Sequence, residues 1–363
     1  MQSLFKIIDK EIYFPNVTEA QTYAKEHPGE TIRRCKERRK RAVMAFTPTT
    51  ILNHLNKYII SQDKAKREIA SVIYYHSLRI KYKDRDDIKN GGPVMLVGPT
   101  GSGKTFIVKK ACTFIDVAFV HADVSSMVSE GIVGFNIGKL AASILINAKL
   151  DIQKASYCIV FLDEIDKLFF SDDNEYGEEV SNQLLRFIEG TEITVPGKDI
   201  GITDSITIPT DNMQFILGGA FQWIVDQKSA IKKDAPGFLS AQTKEIKSDI
   251  VLDDLYKADV PKELLGRIST IINTHKLSQE ECYNILTKGQ ESPLKEFTNK
   301  IKFHGDTVEI SDVTIQKVAK AASKSDLGAR AIKQILKNMF NEALFNAPNK
   351  EFQTHYIKFK GLD

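Results

Sequence analysis

With 363 residues the chain is long enough to bury a sizeable core, and ordinary domain sizes point to more than one unit. Its 42% apolar and 27% charged content is that of a soluble globular protein and excludes global disorder. The net charge of +3 excludes a polyanion binder acting over the whole chain, because residues 1–46 hold ten Lys/Arg against six Asp/Glu and carry all of the excess.

The four cysteines, Cys35, Cys112, Cys158 and Cys282, are widely spaced, with no CxxC pair. They predict a reducing compartment and no zinc site. No apolar run reaches the length of a membrane span, and Asp9 and Glu11 sit where a targeting peptide avoids acid. The cytoplasm is the expected location, with no membrane partner.

Residues 1–46 read as a divergent N-terminal segment. Residues 30–45 hold seven basic residues in a helical composition. No aromatic residues interleave with the charges, so a solvated or adaptor-like basic helix is favoured over a nucleic-acid surface. Thr47-Pro48 then opens a new unit, since Thr is a good cap and Pro suits a first helical turn. Helices are predicted over 49–57 and 62–82. The apolar break between them, Tyr58-Ile59-Ile60, is either an adenine pocket or ordinary core at a helix junction, and spacing alone favours core. A polar loop over 84–92 leads into the next strand.

The run at 94–97, VMLV, reads as a buried parallel strand closing on a Gly/Pro turn. Gly98, four intervening residues and then Gly103-Lys104-Thr105 have the spacing of a P-loop. Glycines let backbone N–H groups converge on phosphate, and the following helix offers its positive end. Lys104 would reach the β and γ phosphates, and Thr105 would hold Mg2+.

A strand is predicted at 118–123, a glycine-flanked loop at 129–136 and one helix over 137–154. The apolar run at 157–162 ends in Asp163-Glu164. An apolar strand closing on paired carboxylates downstream of a P-loop is a Walker B arrangement: Asp163 would fix the Mg2+ shell, and Glu164 would orient or deprotonate the attacking water. An amphipathic helix at 178–189, a hairpin or flexible loop over 193–209 and a buried strand at 214–218 follow. Residues 226–249 read as a long exposed loop. A helix closes on Arg267 before a strand at 270–273. From Leu277 onward only helices are expected, over 278–288, 294–303, 312–323 and 328–345. The pattern predicts an α/β fold, a parallel sheet flanked by helices, followed by a small, mainly helical lid.

GPTGSGKT, VFLDEIDK at 160–167, GGAF at 218–221, LLGR at 264–267 and GAR at 328–330, in this order and spacing, resemble the AAA+ protein unfoldases of the ClpX type. The likeness runs from about Thr47 to the C-terminus. It includes the segment TPTTILNHLNKYIISQDKAK and LLRFIEGT at 184–191. The related unfoldase HslU is less similar, since it carries Ser where this chain has Gly218.

The resemblance implies an AAA+ P-loop ATPase domain over 47–275 and a lid over 276–363. It further implies a homo-hexamer that uses ATP and Mg2+ to thread protein substrates through a pore, with delivery to a ClpP-type peptidase. The alternative is an ATP-regulated remodelling or scaffold ring acting without a peptidase. Pro99, Thr100, Gly101, Ser102, Gly103, Lys104, Thr105 and Phe106 would bind ATP, with Ile59, Ile60 and Gln62 at adenine. Ser61 replaces a glycine there. Arg267 would be the arginine finger supplied to a neighbouring subunit, and Arg330 a second sensor from the subunit's own lid.

Several features depart from the family. Its zinc-binding N-terminal domain is built on four cysteines, and only Cys35 occupies that region here. Its Gly-aromatic-Val-Gly pore loop is Gly131-Ile132-Val133-Gly134. Its aliphatic-Gly-Phe peptidase-docking tripeptide corresponds to Pro236-Gly237-Phe238. Its basic pore-entrance loop has no counterpart in 197–210, where Lys198 is the sole base.

Overall fold

The computed structural model describes residues 6–8, 11–13, 47–83, 88, 91–124, 137–169, 174–233, 249–258, 260–349 and 353–359. The chain divides between Thr47 and Pro48 into two compact units. In the first, strands β1 (Lys6–Ile8) and β2 (Glu11–Tyr13) pair antiparallel, with Ile7 opposite Ile12. The expected basic helix at 30–45 lies outside the described residues.

The second unit opens with α1 (Pro48–Tyr58) and α2 (Asp63–Lys81). Each is amphipathic and buries one stripe, Ile51 and Leu55 on α1 and Ala65, Ile69 and Ile73 on α2. Next come β3 (Val94–Val97), α3 (Lys104–Ile115) and β4 (Phe119–Asp123). They are followed by α4 (Ile137–Asn147), α5 (Ile152–Ser156), β5 (Ile159–Asp163) and α6 (Asn174–Glu189). An antiparallel hairpin of β6 (Glu192–Val195) and β7 (Ile206–Pro209) precedes β8 (Gln214–Gly219) and α7 (Gln222–Lys233). The short α8 (Lys262–Leu265) leads to β9 (Thr270–Asn273).

Strands β4, β5, β8, β3 and β9 form one parallel sheet in that order. The central strand β8 and its neighbour β3 are buried along their whole length, as strands covered by helices on both faces must be. Met95, Val160, Leu162, Phe215 and Leu217 belong to the main core. Because all five strands are parallel, their carboxyl ends share one edge, where open α/β sheets bind ligands.

The C-terminal part packs its own core from Leu277 to Ile357. It consists of α9 (Gln279–Thr287), α10 (Pro293–Lys302), β10 (Thr307–Ile310), α11 (Asp312–Lys324), α12 (Ala329–Asn346) and β11 (Thr354–Ile357). Buried Cys158 and Cys282 pack as apolar groups, since burial pushes their thiols up to about 12 and about 11.

Several sequence expectations are corrected. The helix predicted over 137–154 is two, because Lys149 and Leu150 turn left-handed at φ 58° and 60° and Asp151 then caps α5. Helix α7 runs to Lys233, into the stretch read as loop, while residues 234–248 lie outside the described set. The C-terminal part is not helices alone, because β10 and β11 pair in parallel.

Candidate active site

The P-loop leaves the carboxyl end of β3 and turns at glycines in the left-handed region, Gly101 at φ 72° and Gly103 at φ 96°. At Gly101 a Cβ would stand 2.0 Å from the carbonyl oxygen of Leu327, so only glycine lets the C-terminal part approach this closely. The Ala329 N–H donates to the Gly101 carbonyl at 3.0 Å. No side chain caps the start of α3, which leaves its first N–H groups available to an anion. Buried Lys104 donates from Nζ to the carbonyls of Gly98 at 2.7 Å and Pro99 at 3.2 Å. Burial pulls its ammonium below the ordinary value, opposed by the carboxylates of Asp163, Asp166 and Glu164.

Across the sheet edge, Thr105 Oγ1 donates to Asp163 Oδ2 at 2.9 Å, and the Glu164 N–H donates to Asp163 Oδ1 at 3.0 Å. Burial alone would raise the Asp163 carboxyl, but His121, Thr105, the Glu164 N–H and the Lys104 charge together hold it below its usual value. A hydroxyl and an ionised carboxylate in contact are hard oxygen donors, the chemistry that suits Mg2+. Glu164 stands at φ 60°, and its carboxylate pairs with Lys167. Gly218 makes room for this strand end, since a Cβ there would meet Phe161 Cζ at 2.6 Å and Asp163 Oδ1 at 2.9 Å.

A cavity of about 300 Å3 is lined by Thr100, Gly101, Gly103, Lys104, Thr105, Phe106, Asp163, Glu164 and Arg330 among others. A neighbouring cavity of about 540 Å3 shares Gly103 and Phe106 with it and adds Ile59, Ile60 and Ser102. The P-loop cavity thus adjoins a larger and more apolar one, at the junction of α1, α3 and the C-terminal part. Pro99 faces a third cavity, with Gly98 and Thr274.

Gln62 lines none of these. Its side-chain amide donates to the carbonyls of Ser102 and His275 and accepts from the His275 N–H. It therefore braces the P-loop against the end of β9.

Arg267 lies apart from this cavity. It sits at the amino end of β9, whereas the P-loop leaves the carboxyl end of the adjacent parallel strand β3. Its guanidinium pairs with Glu189 and donates to the Glu263 carbonyl. Gly131, Ile132, Val133, Gly134, Pro236, Gly237 and Phe238 lie outside the described residues.

Sequence reasoning missed several contributors. Thr274 Oγ1 stands 2.8 Å from Oγ of the predicted P-loop residue Ser102 and also donates to the Val97 carbonyl. Buried Asp166 accepts from the Phe221 N–H at 3.0 Å. Lys333 lines both cavities, one helical turn beyond Arg330. Only Asp166 had a readable signal, its place inside VFLDEIDK.

In the break between α1 and α2, Ser61 stands at φ 70°. Its hydroxyl donates to the Glu281 carboxylate and lies 3.1 Å from His275 Nε2, which is 2.9 Å from Glu281 Oε1. Partial burial would raise the Glu281 carboxyl, but Ser61, the Ser278 N–H and His275 hold it at about 2 against an ordinary 4.5. A depressed folded-state value contributes stability above the ordinary value and loses it as pH falls toward the folded one. Glu281→Gln therefore melts below the parent at neutral pH, and the two melting temperatures converge on acidification below about pH 4, which thermal denaturation at stepped pH checks.

The family model described as "AAA domain (Cdc48 subfamily)" matches residues 89–271, from ahead of β3 into β9. The ATP-dependent Clp protease ATP-binding subunit ClpX of Treponema denticola is 31% identical over 322 residues, covering 84% of this chain and 78% of that protein. The chain belongs to the ClpX family of AAA+ ATPases. The subunit named ClpX 2 from Wolinella succinogenes is 29% identical over 325 residues, covering 87% of this chain and 81% of its own. As a ClpX-family ATPase the chain binds nucleotide and hydrolyses ATP. Among the described residues no helix is long and apolar enough to cross a membrane.

Proposed function

We propose that the chain is the ATP-driven unfoldase subunit of a Clp-type protease, a homo-hexameric ring that works on protein substrates in the cytoplasm and passes them to a ClpP-type peptidase. In this reading residues 47–275 are the ATPase body and 276–363 the lid. The observation that carries it is the joining of Lys104, Thr105, Asp163, Glu164 and Arg330 around one cavity, in a chain of the ClpX family. The family assignment does not favour the scaffold alternative.

Phosphate would lie on the P-loop N–H groups and Lys104, which lines the same cavity. The base and ribose would occupy the more apolar cavity beside Ile59 and Ile60. Gln62 would support that site indirectly, by holding the P-loop to β9. Thr105 and Asp163 would hold Mg2+, which neutralises charge on the phosphate oxygens when bound. Glu164 would take the proton of the attacking water. Arg330, entering from the start of α12, would sense phosphate and couple turnover to movement of the lid.

Arg267 would act on the nucleotide of an adjoining subunit, a role its place at the far end of β9 supports. Gly131-Ile132-Val133-Gly134 would grip the polypeptide, and Pro236-Gly237-Phe238 would dock the peptidase. The test is degradation of a tagged protein with ATP, in the presence and absence of a ClpP-type peptidase. Peptide release is expected only with both ATP and the peptidase, and equal release without ATP refutes the reading.

A further inference from the structure

The register of β4 and β5 sets His121 opposite Phe161 and Asp123 opposite Asp163, so His121 shares a sheet face with the Walker B carboxylate. Its imidazole stacks on Phe161, with ring centroids 5.5 Å apart and 22° between planes. Phe161 is fully buried and packed against Gly218, so it forms a fixed wall behind one face of the imidazole. Held in this way, His121 Nε2 lies 3.7 Å from Asp163 Oδ2. That oxygen is the one that accepts from Thr105 Oγ1 at 2.9 Å, while Oδ1 accepts from the Glu164 N–H. Nothing in the proposed chemistry uses His121.

We propose that His121 is a positioning residue for the metal-binding carboxylate. With its proton on Nε2, the imidazole aims an N–H dipole at Asp163 Oδ2. A movement of under about 1 Å closes the contact into a charge-assisted hydrogen bond. Thr105 and the Glu164 N–H fix the carboxylate from two directions, and His121 fixes it from a third. The carboxylate then meets an incoming divalent cation already oriented. Outer partners of this kind commonly decide metal affinity without touching the ion. The inference rests on the reading of Asp163 as a metal ligand.

The experiment measures Mn2+ binding to the full chain with a non-hydrolysable ATP analogue, by electron paramagnetic resonance. His121→Ala weakens Mn2+ binding by about tenfold or more, whereas His121→Gln, which keeps an N–H at similar reach, recovers most of the affinity. Binding of the analogue in the presence of a chelator is the same in all variants, and so is the melting temperature. Asp163→Asn is run in parallel. If it loses Mn2+ affinity while His121→Ala stays within about twofold of the parent, the role of His121 is overturned and the metal reading stands. If Asp163→Asn also binds Mn2+ like the parent, both fall. A His121→Ala chain that loses metal-free nucleotide binding in proportion overturns the positioning role in favour of a structural one.

Discussion

Glu164→Gln holds ATP as tightly as the parent and hydrolyses it slower by about 100-fold to 10,000-fold, the range for losing a positioned general base. Gln has nearly the shape of Glu but no affinity for the proton of water. Binding survives because the backbone of residue 164, not its side chain, is what supports Asp163: the N–H donates to Asp163 Oδ1 at 3.0 Å. Lys104 and Thr105 are untouched. The side chain does lose its ion pair with Lys167, but a pair this exposed contributes little to folding. Equilibrium binding of a fluorescent ATP analogue, set beside phosphate release, separates the two effects. Parent-like hydrolysis removes Glu164 from the reaction.

Arg267→Ala lowers hydrolysis by about 1,000-fold or more, the scale on which an arginine finger stabilises a phosphoryl transition state. The site of its own chain stays intact, because Arg267 sits across the sheet from the cavity that Lys104 and Asp163 line. In the single chain its guanidinium is held by Glu189 and the Glu263 carbonyl, so it stands oriented at the edge of the sheet before any partner arrives. This division of labour gives a sharp consequence. In mixtures of Arg267→Ala with Glu164→Gln, some boundaries combine an intact carboxylate from one chain with an intact arginine from the other. Phosphate release reappears on mixing two inactive proteins. If Arg267 served its own site, no mixture would recover.

Motifs whose chemistry demands particular residues close together in sequence were legible at once. Gly98 through Thr105 and Asp163-Glu164 could be read from spacing, because backbone N–H groups must converge at a turn and carboxylates must stand at a strand end. Arg267 and Arg330 carried no such local signature. They were reached only through resemblance, since isolated arginines are indistinguishable from surface charge.

His121 and Thr274 were invisible for a different reason. Their contacts with Asp163 and Ser102 cross between strands and elements far apart in sequence, and neither residue type is unusual in its own stretch. The break at Lys149-Leu150 was missed because left-handed backbone is expected at glycine, not at Lys or Leu. Strand β10 was missed because Thr307–Ile310 is a short, half-exposed stretch whose parallel partner lies beyond two helices. Family likeness places Gln62 at the base, and the structure adds contacts the sequence could not show: its buried amide reaches Ser102 and His275.

ATP turnover at this cavity is expected to drive mechanical work on a polypeptide, and one measurement tests that coupling directly. A stably folded fluorescent protein bearing an unstructured tail is incubated with the chain, and fluorescence is followed alongside phosphate release. Fluorescence is expected to fall with ATP, to hold with a non-hydrolysable analogue and to hold with Glu164→Gln. ATP turnover by the parent chain that leaves the substrate's fluorescence unchanged, or a fall that proceeds equally without hydrolysis, contradicts the account.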